Sequence, residues 1–189
     1  MDKSAKILRL ASETFDVAGA NGNILILGLE TKPGRDLNQF ETDGEKIRFT
    51  GFYKHFSPKT RELIKRIAAL GHTAKQLRYF DDINLKRIAA IAGLGAWGKS
   101  SLVIHPKFGP RLRFVVLELN LQFVAEVHEE RTPFTGCENC DACIRACPAN
   151  VLRPFVLTEK EKCQAYIDLC NPAKTHRCDI CQTACPAGR

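Results

Sequence analysis

Nine cysteines lie between Cys137 and Cys185, and none in the first 136 residues of this 189-residue chain. Their spacing is that of ligands. Cys137-x2-Cys140-x2-Cys143-x3-Cys147-Pro148 is a run that holds 4Fe–4S clusters. Three thiolates two residues apart wrap three corners of one cube, and the fourth points away to ligate a second. Pro148 ends the local helix and helps shield the iron. A second run, Cys178-x2-Cys181-x3-Cys185-Pro186, repeats the ending, but Thr175 stands where a symmetric repeat would have its first cysteine. Crossed ligation assigns one cluster to Cys137, Cys140, Cys143 and Cys185. The other takes Cys147, Cys178, Cys181 and one of Cys163 or Cys170, leaving one thiol of the nine spare.

Other cysteine chemistries fit less well. Structural zinc uses one or two paired cysteines at wider separation and does not favour the x3-Cys-Pro ending. The Cys-x3-Cys-x2-Cys of radical chemistry fails, because Asn150 stands three residues after Cys147. An odd cysteine count without a secretory apolar segment is a poor disulfide framework. No apolar run approaches the ~18 residues of a membrane span, so the expected setting is cytoplasmic.

Charge divides where the cysteines begin. Residues 1–136 hold 21 Lys and Arg against 15 Asp and Glu, and residues 137–189 hold 7 against 6. Two thiolate-bound clusters would each add a net charge of about −2, so the formal +7 overstates the basicity of a loaded chain. The densest basic stretch carries Lys46, Arg48, Lys54, Lys59, Arg61, Lys65 and Arg66 against Glu62 alone. It is a solvated face or a surface for an acidic partner or a nucleic-acid backbone.

The elements that must position these residues read as follows. Residues 3–15 form an amphipathic helix, with Ile7, Leu8, Leu10, Ala11 and Phe15 at helical spacing. Asn23–Leu29 is a buried strand, followed by a turn over 31–35, and residues 36–57 carry no clear period. Ser57 caps a helix that Pro58 opens and Gly71 stops. Asn84–Ala92 is a second helix. Ser101–His105 and Arg113–Leu119 are strands joined by a turn at Lys107–Pro110, Leu121–Val127 is a third, and Glu129–Gly136 is a polar connector. The expected division is an α/β cofactor-binding domain over 1–130 and a two-cluster module over 131–189.

Between the second helix and the strands lies a glycine loop. Gly93-x-Gly95-x2-Gly98 matches a dinucleotide fingerprint, and Gly93-x4-Gly98-Lys99-Ser100 matches a phosphate loop. Both motifs require a strand before and a helix after. Here a helix precedes and a strand follows, so a pyrophosphate would not face a helix N-terminus. What remains is a small-residue loop whose backbone can approach a ligand closely, with Lys99 and Ser100 beside it.

This loop, from Ala92 through Gly93, Gly95, Trp97, Gly98, Lys99, Ser100 and His105-Pro106 to Gly109, resembles the hallmark loop of epoxyqueuosine reductases. Those enzymes are cobalamin-dependent relatives of the reductive dehalogenases, and the likeness is strongest over residues 83–189. It implies a mixed-sheet α/β (α+β) fold of the nitroreductase-like, corrinoid-binding kind with an appended bacterial-ferredoxin-like module. Gly93, Gly95, Gly98, Lys99 and Ser100 would sit against the corrinoid. The family uses a cysteine sixteen residues past the fourth of the first run, which here is Cys163, so the resemblance implies Cys163 as the eighth ligand and Cys170 as the spare thiol. It also implies a redox partner such as a flavodoxin or ferredoxin, and tRNA as a partner of the modifying members.

Two departures point to another substrate. The family's acidic proton donor falls at Tyr79, with Asp81 and Asp82 nearby but without the surrounding motif. The helical-repeat extension that helps hold tRNA is expected to be missing after Cys185-Pro186. Tyr79 is a proton donor or a packed structural tyrosine, and the resemblance implies no histidine ligand to cobalt, which leaves His105 a structural role. Trp97 is a packing anchor or flanks a corrinoid face. The expected function is an iron–sulfur oxidoreductase passing electrons through two 4Fe–4S clusters to a corrinoid and on to a small-molecule substrate. The alternative is a two-cluster electron carrier with no chemistry of its own.

Overall fold

In the computed structural model, which describes residues 2–43, 46–77, 83–124, 126, 128–163 and 178–189, alternation of apolar residues along two long strands builds the centre. The first helix, α1 (Lys3–Thr14), is capped by Asp2, whose carboxylate accepts the Ser4 N–H at 3.2 Å, and it buries Ile7, Leu10 and Ala11. Strand β1 (Val17–Glu30) follows, then the short antiparallel pair β2 (Glu41–Asp43) and β3 (Lys46–Arg48). Next come α2 (Thr50–Ala69), β4 (Ala74–Leu77) and α3 (Leu85–Ile91), the last capped by the Asn84 side chain. The pair β5 (Ala96–Trp97) and β6 (Val103–Ile104) leads into β7 (Leu112–Phe123). The cysteine-rich part contributes a 3-10 turn (Thr135–Cys137), α4 (Ala142–Ala146), the hairpin β8 (Leu152–Arg153) and β9 (Val156–Leu157), and α5 (Ile180–Thr183).

The main sheet has the order β1-β7-β4. Its described pairings are all antiparallel, where the sequence reading expects a mixed sheet. Because β7 lies between them, β1 and β4 run alike without touching. Successive residues of a strand face opposite sides. Leu25, Leu27 and Leu29 of β1 and Val115, Leu117 and Leu119 of β7 therefore pack with Ile7 and Phe15 and with Phe56, Leu63 and Ile67 of α2. Ile26, Phe114 and Val116 on the other side pack with Ala89, Ala90, Leu94, Trp97 and Val103. Helices α1 and α2 thus cover one face of the sheet, and α3 with the glycine loop covers the other.

Three expectations are corrected. Strand β1 begins at Val17, not Asn23, because Gly19 and Gly22 hide the apolar period. Gly22, at φ +57°, sits where the β1–β7 register shifts, as at a bulge. Helix α2 starts at Thr50, so Ser57 does not cap it and Pro58 lies inside. Tertiary contacts set that start: Phe56 meets Phe15 with ring centroids 6.0 Å apart, and a Cβ on Gly51 would come within 1.9 Å of the Asp36 carbonyl oxygen. Finally, β7 runs unbroken through Asn120 to Phe123, leaving no separate strand from Leu121. Asn120 ties the sheet instead of ending it, since its Oδ1 accepts the Thr73 N–H at 2.8 Å.

Candidate metal centre

Each cysteine run is folded around one short helix. Cys143 lies on α4, and Cys147 follows where that helix stops. Cys181 lies on α5, with Cys178 before and Cys185 after. The two helices pack together, which brings the two runs side by side.

None of the eight described cysteines forms a disulfide. Cys137, Cys140, Cys143 and Cys185 border one cavity of about 230 Å³, walled also by Ile104 and Phe134. Burial pushes the Cys143 thiol up, and Cys137 and Cys185 add repulsion. Burial also raises Cys185, with Cys137 and Cys140 adding, while a hydrogen bond from the Ala187 N–H pulls the other way. Burial pushes Cys181 up to about 12, and the neighbouring Cys178, Cys163, Cys143 and Cys147 add in the same direction. The repulsions thus group Cys137 and Cys140 with Cys143 and Cys185, and Cys147, Cys163 and Cys178 with Cys181. Cys143 is the thiol felt by both groups. Cys170, Tyr79, Asp81 and Asp82 lie outside the described residues.

Among the described residues, no group of three or more His, Cys, Asp or Glu side chains forms a single-ion site. Four thiolates round one zinc would each stand at about 2.3 Å from it. A polynuclear core is wider, and these residues fit one on two counts. Thiols that burial and mutual repulsion hold protonated become thiolates only against compensating positive charge, which iron supplies. Ser100 stands in the cavity wall, and its buried Oγ has no hydrogen-bond partner among the described residues.

The glycine loop is built against the cysteine segment. Gly93 (φ +73°) ends α3, and Gly95 (φ +146°) brings the loop so close to β6 that a Cβ there would lie 2.5 Å from the Ile104 carbonyl oxygen. A Cβ on Gly98 would meet the Ile104 side chain at 2.5 Å. These close approaches are to the protein's own atoms. The Trp97 backbone pairs with Thr132 and Phe134, and its indole N–H donates to the Phe155 carbonyl at 3.1 Å; Trp97 therefore anchors residues 132–155 to the sheet domain. The Lys99 ammonium donates to the Asp141 carboxylate at 2.8 Å and to the Glu138 carbonyl at 3.1 Å. That hydrogen bond holds the lysine above its ordinary range, and the Cys137 and Cys140 charges act in the same direction.

Two arginines of the sheet region complete the junction, and sequence reasoning missed both. Arg111 donates to the Gly188 carbonyl at 2.5 Å and pairs with Glu30 at 3.6 Å. Arg113 donates to the buried Asn38 side chain at 2.9 Å and to the Gln182 side chain of α5 at 3.3 Å. The available signal was Arg113 standing in the apolar first half of β7, between Leu112 and Phe114. His105 accepts the Lys107 N–H at Nδ1 (3.0 Å) and so closes the turn before Gly109.

No protein-family model matches the chain. It is 28% identical over 173 residues to an epoxyqueuosine reductase of Francisella cf. novicida, covering 77% of this chain and 48% of that protein. It is 31% identical over 151 residues to one from Synechocystis sp., covering 67% of this chain and 50% of the relative. The chain therefore spans about half the length of these curated relatives. Among solved structures, it matches the epoxyqueuosine reductase of Streptococcus thermophilus with a TM-score of 0.63 and 21% identity, over 88% of this chain and 49% of that one. An epoxyqueuosine reductase bound to a modified tRNA-Tyr stem loop matches with a TM-score of 0.69 and 15% identity, over 97% of this chain and 64% of that chain. A reductive dehalogenase described with a mechanism for B12-dependent dehalogenation matches with a TM-score of 0.64 and 16% identity, over 88% of this chain and 25% of that one. In sequence the chain resembles the epoxyqueuosine reductases and in fold both them and the dehalogenase, and it is an epoxyqueuosine reductase-like protein.

Proposed function

We propose that this protein is a cytoplasmic iron–sulfur oxidoreductase that passes electrons through two 4Fe–4S clusters to a corrinoid, and that its substrate differs from epoxyqueuosine. Cys137, Cys140, Cys143 and Cys185 would hold one cluster, and Cys147, Cys163, Cys178 and Cys181 the other. When bound, such clusters supply one-electron transfer at potentials set by charge, hydrogen bonds and exposure. The observation that carries this reading is the cavity lined by Cys137, Cys140, Cys143 and Cys185, with the second cysteine run on a helix packed against the first. The protein's part is to gather the thiols on two packed helices, wall them with Ile104 and Phe134, and set a positive charge, Lys99, beside Cys137 and Cys140.

The corrinoid assignment is supported by the fold likeness to the dehalogenase. The loop glycines do not add to it, because their contacts are already explained by β6 and His128. A corrinoid, when bound, supplies low-potential cobalt for two-electron reduction. In this reading residues 1–130 form its nitroreductase-like domain, residues 131–189 form the ferredoxin-like module, and a flavodoxin or ferredoxin delivers electrons.

Cob(II)alamin EPR on the anaerobically reconstituted protein tests this function. A base-off cobalt signal saturating near one per chain is expected. A free-solution cobalt spectrum beside two reduced clusters would leave a two-cluster electron carrier instead.

A further inference from the structure

Ser100 is 6% exposed, and its hydroxyl makes no hydrogen bond among the described residues. It lines the same cavity as Cys137, Cys140, Cys143 and Cys185. The other buried side-chain atoms without partners, on Thr31, Thr60 and His72, belong to no residue of that cavity wall. The backbone around Ser100 is pinned on both sides. The Gly98 N–H donates to the Leu102 carbonyl at 2.8 Å, the Ser101 N–H to the Gly98 carbonyl at 2.9 Å, and the Phe155 N–H to the Lys99 carbonyl at 3.3 Å. A buried hydroxyl held in this way is costly unless a ligand in the cavity accepts its proton.

We propose that Ser100 donates a hydrogen bond to a sulfur of the cluster held by Cys137, Cys140, Cys143 and Cys185, and so raises that cluster's reduction potential. The proposal rests on the two-cluster reading above. Its physical basis is that reduction adds negative charge to the cluster sulfurs, so a fixed donor stabilises the reduced form more than the oxidised one. Ser100, which the resemblance sets against a corrinoid, acts here as a hydrogen-bond donor that tunes one metal centre.

The test compares the holoprotein with Ser100→Ala by EPR-monitored redox titration, with iron and sulfide measured on the same samples. Iron content should be unchanged. One of the two redox waves should move to lower potential, with a threefold to tenfold fall in the reduced-to-oxidised ratio at fixed potential; tenfold corresponds to about 59 mV for one electron. Electron–nuclear double resonance on the wild type after brief exchange into D2O should show a fast-exchanging proton coupled to one reduced cluster. This second measurement decides the matter if the alanine variant does not load. Full iron with both waves unmoved, both shifted together, or either raised would overturn the role of Ser100, as would the lack of such a proton. A reconstituted wild type lacking 4Fe–4S spectra would overturn the two-cluster reading, and this inference with it.

Discussion

The Lys99 ammonium lies 2.8 Å from the Asp141 carboxylate, fastening the end of the glycine loop to the first cysteine run. The lysine side chain is only 12% exposed and the aspartate 50%. Their pairing places a fixed positive charge next to Cys137 and Cys140 and commits the lysine that a phosphate loop would have offered to a nucleotide.

Removing that charge should disfavour the extra electron on the adjacent cluster. Lys99→Met is expected to lower one midpoint potential and leave the other in place. Adding Asp141→Asn should recover part of the shift, because it removes the carboxylate left unpaired. Redox titration of the two variants checks this, and equal shifts of both waves would contradict it.

Gly95 and Gly93 both have positive φ but differ in what a side chain would meet. At Gly95 a Cβ would strike the Ile104 backbone, whereas at Gly93 it would meet the movable His128 ring. Gly95→Ala should cost at least about 2 kcal/mol and Gly93→Ala about 1 kcal/mol. Denaturant unfolding of the two variants measures the difference.

Arg113 supplies donors to Asn38 and Gln182, which are 3% and 7% exposed. Arg113→Met withdraws those donors and should destabilise by roughly 2–4 kcal/mol. Arg113→Lys should recover little of this, since an ammonium cannot reproduce the planar fork of the guanidinium. A loss near zero in Arg113→Met would show that the junction does not depend on this arginine.

Burial holds His105 below the ordinary histidine value of 6.5, and Lys107 pushes it the same way. The neutral ring accepts two backbone N–H groups at Nδ1, from Lys107 and Phe108, and protonation there would eject both. A depressed folded-state value means that this contribution is present above pH 6.5 and is lost as pH falls through the lower folded value. His105→Asn, which keeps an acceptor oxygen, should match the wild type at pH 7.5 and lose less stability on acidification. Thermal unfolding at both pH values tests this, and parallel pH slopes would contradict it.

The cysteine runs are legible in the sequence because their spacing is itself a ligand pattern, and the helices around Leu10 and Ala89 because their apolar period is local. The start of α2 is not legible: the contact of Phe56 with Phe15 and the close approach of Gly51 to Asp36 are tertiary. Nor is the direction in which Lys99 and Ser100 face. That depends on the β5–β6 pair and on the bridge from Trp97 to Pro133, which turn a loop with a nucleotide-like pattern onto the thiols. The partner of Arg113 lies 75 residues away in sequence at Asn38, so no local window contains it.

The most direct test of the central claim is iron and labile-sulfide analysis with Mössbauer spectroscopy on three proteins reconstituted in parallel: wild type, Cys163→Ala and Cys170→Ala. Two clusters with Cys163 as the eighth ligand predict about eight irons per chain in the wild type and in Cys170→Ala, and about four in Cys163→Ala. Loss of a cluster through Cys170 in place of Cys163, or a wild type that never exceeds about four irons, would contradict it.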